Sequence, residues 1–206
     1  MRLIKKGAEG DIYATKFGND PAILKTRKVK PYRHPILDNK IRKQRTIREA
    51  SMLSEAKSVG VHTPLVYQVN VTDCTILMQQ IDGIMVRNLE GTKLKSACTQ
   101  IGKITATLHK NGIVHGDLTT SNFIAKNNKI YAIDFGLAQK SVRVEDHAVD
   151  LRLFKEILGS AHVLVMESLW KSFLSGYKSV VGLERLNKIL NQLSIIEGRG
   201  RYARME

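Results

Sequence analysis

The sequence predicts an α+β fold in two lobes, a small sheet-rich lobe with one helix followed by a mostly helical lobe. Apolar runs of strand length, punctuated by Gly and Asn-Asp turn signals, fill the first part of the chain, while from Leu94 onward apolar residues recur at three- and four-residue steps. Its 206 residues, 43% hydrophobic and 25% charged, suffice for one domain with a buried core.

In order, Leu3-Ile4, Asp11 to Ala14 and Pro21 to Lys25 read as short strands. A polar, basic segment follows from Thr26 to Arg45, and ten Lys or Arg lie from Lys25 to Arg48 inclusive. A helix is expected from about Asn39 to Val59, stopped by Gly60. Val66 to Val71 and Thr75 to Gln79 read as a second strand pair, ended by a turn at Asp82-Gly83. Leu94, Ala97, Ile101, Ile104 and Leu108 mark the apolar face of a helix ending near Asn111-Gly112. Phe123 to Ala125 and Ile130 to Ile133 form a hairpin through Asn127-Asn128. Helices are expected at Val149 to Leu158, Val163 to Tyr177 and Leu183 to Ile196. The lobe boundary belongs between Gln80 and Val86, giving an N-terminal lobe of 1–82, a C-terminal lobe of 83–198 and a basic tail of 199–206.

Composition narrows the class. The apolar runs fall far short of the ~20 residues needed to span a bilayer, and the basic start of the chain lacks the apolar stretch of a secretory leader. Cys74 and Cys98 are too few for a disulfide framework, so a reducing cytoplasmic setting is the expectation. Thirty-three Lys and Arg against 19 Asp and Glu leave a formal charge of +14, which suits a polyanionic partner as well as a merely solubilising surface.

Four features together point to phosphoryl transfer, which requires phosphates positioned, a divalent ion held and an attacking hydroxyl oriented. Gly7-Ala8-Glu9-Gly10 is a turn whose glycines would let backbone approach phosphate oxygens; a plain hairpin turn is the alternative. Lys25 ends an apolar strand, where it would reach phosphates or simply be exposed, and Glu49 on the following helix is its partner by position or a solvated glutamate. His115-Gly116-Asp117-Leu118-Thr119-Thr120-Ser121-Asn122 offers Asp117 to orient a hydroxyl and Asn122 to reach a metal. Asp134-Phe135-Gly136 then places a carboxylate at a strand end, within reach of the same metal. The last two motifs in order, joined by one hairpin, leave little room for chance. No HExxH pair and no Walker-type lysine is present, and Cys98 falls on the apolar face of its helix.

These motifs resemble the small atypical serine/threonine kinase and ATPase subunit of the KEOPS complex, of the p53-related-kinase type and archaeal in character. Also carrying the likeness are Tyr32-Arg33-His34-Pro35 with Leu37-Asp38, Arg45 to Ala50, Ala148-Val149-Asp150-Leu151 and the tail Arg199-Gly200-Arg201-Tyr202-Ala203-Arg204. The resemblance implies a bilobal protein-kinase-like fold using ATP and Mg2+, with Mn2+ as an alternative ion. It implies that Asp117, Lys25 and Glu49 are catalytic and that Asn122 and Asp134 hold the metal. Gly7, Ala8, Glu9, Gly10, Lys25, Met78, Gln79 and Gln80 would surround the nucleotide.

The implied partners are a threonylcarbamoyl-transferase subunit, a small subunit on the N-terminal lobe, and tRNA, with Arg199, Arg201 and Arg204 toward tRNA or a partner; no membrane is implied. Only Leu137 to Ala148 separates Gly136 from Val149-Asp150, and no Ala-Pro-Glu follows, so the peptide platform of ordinary kinases has no place to form. Thr119 stands where those kinases carry a lysine. Asp150 is expected to receive backbone donors of the catalytic loop, or else to cap a helix start. An aminoglycoside- or choline-type small-molecule kinase and a non-catalytic tRNA-binding scaffold are the other two readings.

Overall fold

The computed structural model describes residues 1–7 and 10–202, with side chains described as far as residue 199. Ala8, Glu9 and Arg204, and the side chain of Arg201, thus lie outside what is described.

Three strands open the chain as a meander: β1 (Arg2–Lys6), β2 (Gly10–Phe17) and β3 (Asp20–Arg27). β2 and β3 pair from Gly10↔Arg27 to Phe17↔Asp20 around a Gly18-Asn19 turn. After α1 (Pro35–Ser58) come β4 (Val66–Asn70) and β5 (Thr75–Gln79), and the five strands order β1-β2-β3-β5-β4. β3 is thereby the central strand, with Lys25 opposite Ile12 on one side and Ile76 on the other. Alternation along β3 puts Ile23, Lys25 and Arg27 on one face, the face that α1 covers with Glu49, Ala50, Leu53 and Ala56.

α1 begins four residues before the expected Asn39. Pro35 occupies its first turn, where a fixed φ and a missing N–H cost nothing. Asp38 is buried there and accepts Arg42 Nε at 2.7 Å and the Lys30 N–H at 3.3 Å. Much of the basic segment is therefore helix rather than loop.

The second lobe starts with β6 (Ile84–Met85), a 3-10 turn (Val86–Asn88) and α2 (Gly91–Lys110). Next come β7 (Ile113–Val114), a 3-10 turn (Thr120–Asn122), β8 (Phe123–Lys126), β9 (Lys129–Ala132) and β10 (Gln139–Lys140). β8 and β9 are joined through Asn127 and Asn128, at φ 49° and 59°, the double positive φ of a primed hairpin turn. β6 pairs with β8 and β10 with β7. These two-residue strands carry no periodicity and do not stand out in the sequence.

α3 (Val144–Ala161) begins five residues before the expected Val149, with Glu145 and Asp146 in its first turn, where the helix dipole favours carboxylates. The two helices expected beyond it are the arms of α4 (Met166–Tyr202), preceded by a 3-10 turn (Val163–Val165) and interrupted at Gly182 (φ 80°, ψ 171°). The second arm runs through Arg199 to Tyr202 instead of ending at Ile196. Gly198 and Gly200 each cost a helix only about 1 kcal/mol, too little to force a break.

α2 and α4 cross backbone to backbone. A Cβ on Gly102 would lie 2.0 Å from Phe173 O, and one on Gly176 would lie 1.9 Å from Thr99 O. Phe154, Phe173 and Tyr177 fill the space around this crossing, all fully buried. Cys98 is buried beside it, and burial pushes its thiol up to about 12, so it is core and not a nucleophile. Among the described residues no helix is long and apolar enough to cross a membrane.

Candidate active site

Lys25 leaves the central strand and is buried, at 8% exposure. Its Nζ donates to Glu49 Oε1 at 2.6 Å and to Asp134 Oδ1 at 2.6 Å. Residues from a strand, a helix and the loop after β9 thus meet on one ammonium, across sequence separations of 24 and 109. Burial works to lower the pKa of Lys25, but the charge of Glu49 and then of Asp134 outweighs it, and the net shift is upward. For Asp134 burial acts to raise the pKa, while the charge and hydrogen bond of Lys25, then the Gly136 N–H, bring it below the ordinary carboxylate range. Asp134 is held at φ 60°, a conformation that aspartate tolerates better than most residues and that gathers at functional sites.

The catalytic-loop motif is fixed from below by α3. Both oxygens of Asp150 accept backbone donors: the His115 N–H reaches Oδ2 at 2.7 Å and the Gly116 N–H reaches Oδ1 at 2.8 Å. His109 Nε2 lies 3.2 Å from Oδ2, and His109 Nδ1 lies 2.8 Å from the Tyr177 hydroxyl. Burial pushes the Asp150 pKa up, but the hydrogen bond from His109, with that of the His115 N–H, carries the net shift down. Asp150 sits well inside α3, so it receives the loop's donors and does not cap the helix start.

His147, stacked on His109 at 4.1 Å, is brought down to about 4 by burial and by the neighbouring imidazole. As a neutral ring it accepts from Arg185 at Nδ1 and donates from Nε2 to Ser141 O, each at 3.2 Å.

Above this base, Asp117 and Asn122 face each other. Asn122 Nδ2 donates to Asp117 Oδ2 at 2.7 Å and to Asp117 O at 2.8 Å, leaving the Asn122 amide oxygen as its atom for a metal. His115 joins the two loops: its Nδ1 accepts the Asp117 N–H at 3.3 Å and its Nε2 donates to Ile133 O at 3.2 Å, one residue before Asp134. Among the described residues no group of three His, Cys, Asp or Glu is gathered for a metal. Asn122 and Asp134 could supply two oxygens, the sparse protein share that Mg2+ accepts when phosphates and water complete its octahedron.

At the sheet edge of the cleft, Gly7 and Gly10 close the first turn through Gly7 N–H to Gly10 O at 3.0 Å. Met78 is buried, and the Gln79 and Gln80 amides serve the sheet, donating to Leu65 O at 2.8 Å and Pro21 O at 3.2 Å. Arg199 is exposed at the end of α4. Three participants were not singled out from the sequence: Arg27, His109 and Tyr177. Arg27 was reachable, since it lies two residues from Lys25 on the same face of β3 and its Nη2 donates to Glu49 Oε2 at 2.5 Å. His109 and Tyr177 follow a helical spacing that signals only core.

Residues 23–151 match the RIO domain family. The chain is 40% identical over 213 residues to the KEOPS complex subunit Bud32 of Pyrococcus abyssi, covering 98% of this chain and 96% of that one. The chain belongs to the Bud32 branch of the RIO-domain kinases. It is also 42% identical over 200 residues to a probable bifunctional tRNA threonylcarbamoyladenosine biosynthesis protein of Methanocaldococcus jannaschii, where it spans 97% of itself but 37% of that longer protein. Among solved structures, the Rio2 kinase of Chaetomium thermophilum in its ADP/Mg2+-phosphoaspartate complex superposes with a TM-score of 0.66 at 14% identity, covering 98% of this chain and 72% of that one. That last likeness establishes the bilobal kinase fold.

Proposed function

We propose that this Bud32-family chain is a Mg-ATP-dependent atypical serine/threonine kinase that works mainly as the ATPase subunit of the assembly forming N6-threonylcarbamoyladenosine in tRNA. The observation that carries the reading is the convergence of Lys25, Glu49 and Asp134 at 2.6 Å, beside a catalytic loop anchored on Asp150. In this reading Lys25 turns toward the α- and β-phosphates while Glu49 orients it, and the turn of Gly7, Ala8, Glu9 and Gly10 covers the phosphates. Met78, Gln79 and Gln80 border the base. Asn122 and Asp134 would hold Mg2+, for which Mn2+ would substitute, and the ion would neutralise charge on the phosphates. Asp117 orients the attacking oxygen and receives its proton. Water's oxygen bonds the γ-phosphorus, the β–γ bridging bond breaks, and ADP leaves with the bridging oxygen. A serine or threonine hydroxyl is the lesser acceptor.

The partner reading is supported by the KEOPS name of the Pyrococcus relative and by the bifunctional relatives, in which a chain like this one is about a third of a longer protein. The threonylcarbamoyl-transferase subunit and tRNA are the proposed companions, with a small subunit on the N-terminal lobe and Arg199, Arg201 and Arg204 toward tRNA or a partner. The setting is cytoplasmic, with lobes at 1–82 and 83–198 and a basic end at 199–206. ATP hydrolysis by the full chain, alone and with transferase and tRNA, tests this. Low turnover that rises with both and vanishes in Asp134→Ala is expected; full turnover by Asp134→Ala would overturn the reading.

A further inference from the structure

We propose that Arg27 is a positioning residue that keeps Glu49 neutralised, so that Lys25 can reach the nucleotide phosphates while Glu49 still orients it. Glu49 is 1% exposed and its two oxygens are divided between two cations, Lys25 Nζ on Oε1 at 2.6 Å and Arg27 Nη2 on Oε2 at 2.5 Å. Lys25 is shared again with Asp134 at 2.6 Å, whose own side chain is 42% exposed, so the two cations and two carboxylates form one connected set that reaches solvent at Asp134.

Nucleotide binding would rearrange that set: Asp134 would serve a metal, and Lys25 would share its charge between Glu49 and phosphate oxygens, which weakens its hold on Glu49. A buried carboxylate that loses its cation is strongly disfavoured. With Arg27 on Oε2 the carboxylate is never stranded; without it, Lys25 is the cation Glu49 retains, and the phosphates must compete for it.

Arginine suits the task because its planar fork serves several acceptors at once. The same Nη2 reaches Arg45 O at 3.4 Å, tying β3 to α1 at two points. The Asp-Phe-Gly turn closes on the same spot: a Cβ on Gly136 would lie 3.1 Å from Asp134 Oδ1, 3.2 Å from Arg27 Nη2 and 3.6 Å from Glu49 Oε2. The guanidinium is therefore where the phosphate strand, the glutamate helix and the metal loop meet. The Arg27 side chain is 4% exposed, which leaves it no surface role.

A brace that merely fastens α1 to β3 would weaken every ligand of the cleft alike, whereas a role through Lys25 acts on phosphates only. This rests on the assignment of Lys25 to phosphate binding, so Lys25→Met is measured alongside. For the full chain, ATP turnover, ATP and adenosine affinity and thermal stability are compared in wild type, Arg27→Met, Arg27→Gln and Arg27→Lys. Arg27→Met is expected to raise KM for ATP about tenfold with kcat changed less than about threefold, the pattern of lost binding and not lost chemistry. Adenosine affinity stays at the wild-type value, and Arg27→Lys restores most of the loss. Should Arg27→Met fail to fold, Arg27→Gln, which keeps a donor without the charge, carries the comparison.

An unchanged KM for ATP, or a parallel loss of ATP and adenosine affinity, overturns the proposal. If Lys25→Met keeps the wild-type KM, the phosphate assignment itself falls; if only Lys25→Met is impaired, the role of Arg27 alone falls.

Discussion

Glu49 in α1 and Asp150 in α3 are each 1% exposed, and they are partnered in opposite ways. Glu49 is satisfied by two side-chain cations, one of which is shared with Asp134. Among the described residues Asp150 has no lysine or arginine on it; two backbone amides and an imidazole meet its oxygens at 2.7, 2.8 and 3.2 Å. Cations on flexible stems exchange partners readily, while backbone donors stay where the fold puts them. The first network suits a site where charge is redistributed when a nucleotide arrives. The second suits a platform that holds the catalytic loop in one place through each turnover.

Removing each carboxylate separates the two roles. Asp150→Ala leaves two buried amides and His109 without their acceptor, at about 1–3 kcal/mol for each unsatisfied donor. A loss on the order of 4 kcal/mol in a chain of this size lowers the melting temperature by about 8–16 °C. The fall is expected without any nucleotide, with turnover lost as well. Glu49→Ala should cost somewhat less, about 3 kcal/mol and at the low end for breaking a buried pair, because Lys25 keeps Asp134 and Arg27 keeps Arg45 O. What it removes instead is most of the rise in melting temperature produced by Mg-ATP. Thermal unfolding with and without Mg-ATP checks both; a nucleotide response in Glu49→Ala equal to wild type would break the contrast.

The two networks were unequally legible in the sequence. Lys25, Glu49, Asp117, Asn122 and Asp134 lie in short runs whose residue types and order signify phosphoryl transfer, and the structure gathers Lys25, Glu49 and Asp134 on one side and Asp117 with Asn122 on the other. Tyr177 reaches His109 across 68 residues and His109 reaches Asp150 across 41, and no local pattern encodes such meetings. They depend on how α2, α3 and α4 pack. On those helices a buried polar residue looks like any other core position until its partner is known. The fold divides the same way. Long strands and the amphipathic α2 were readable from their periods, while the two-residue strands β6, β7 and β10 exist only because the hairpin and loops they pair with bring them together.

A smaller effect tests whether the platform and the metal loop move as one. Gly116 has φ 76°, and a Cβ there would lie 2.4 Å from Leu137 O, just past the Asp-Phe-Gly turn. Gly116→Ala must push the two loops apart, at about 2–3 kcal/mol for the strain and the clash. Turnover is expected to fall by more than tenfold while adenosine affinity is kept, if the displaced atoms position metal and water as proposed above. Steady-state kinetics and adenosine titration read this directly, and wild-type turnover would mean that the loops shift independently.

The smallest effect lies farthest from the chemistry. The Tyr177 hydroxyl meets His109 Nδ1 at 2.8 Å, and burial pushes its pKa upward, so it stays protonated and donates. His109 in turn presents Nε2–H to Asp150, and the tyrosine thus selects the tautomer that the carboxylate requires. Tyr177→Phe keeps the ring in its place against Phe173 and removes one hydrogen bond, worth about 1 kcal/mol. A fall of about 2–4 °C in melting temperature is expected. Turnover should stay within about twofold of wild type, because the His115 and Gly116 amides still hold Asp150. A large loss of turnover at nearly unchanged stability would mean that the catalytic loop is tuned through the imidazole and that the backbone donors alone do not hold it. The platform beneath Asp117 would then be as adjustable as the cation network above it.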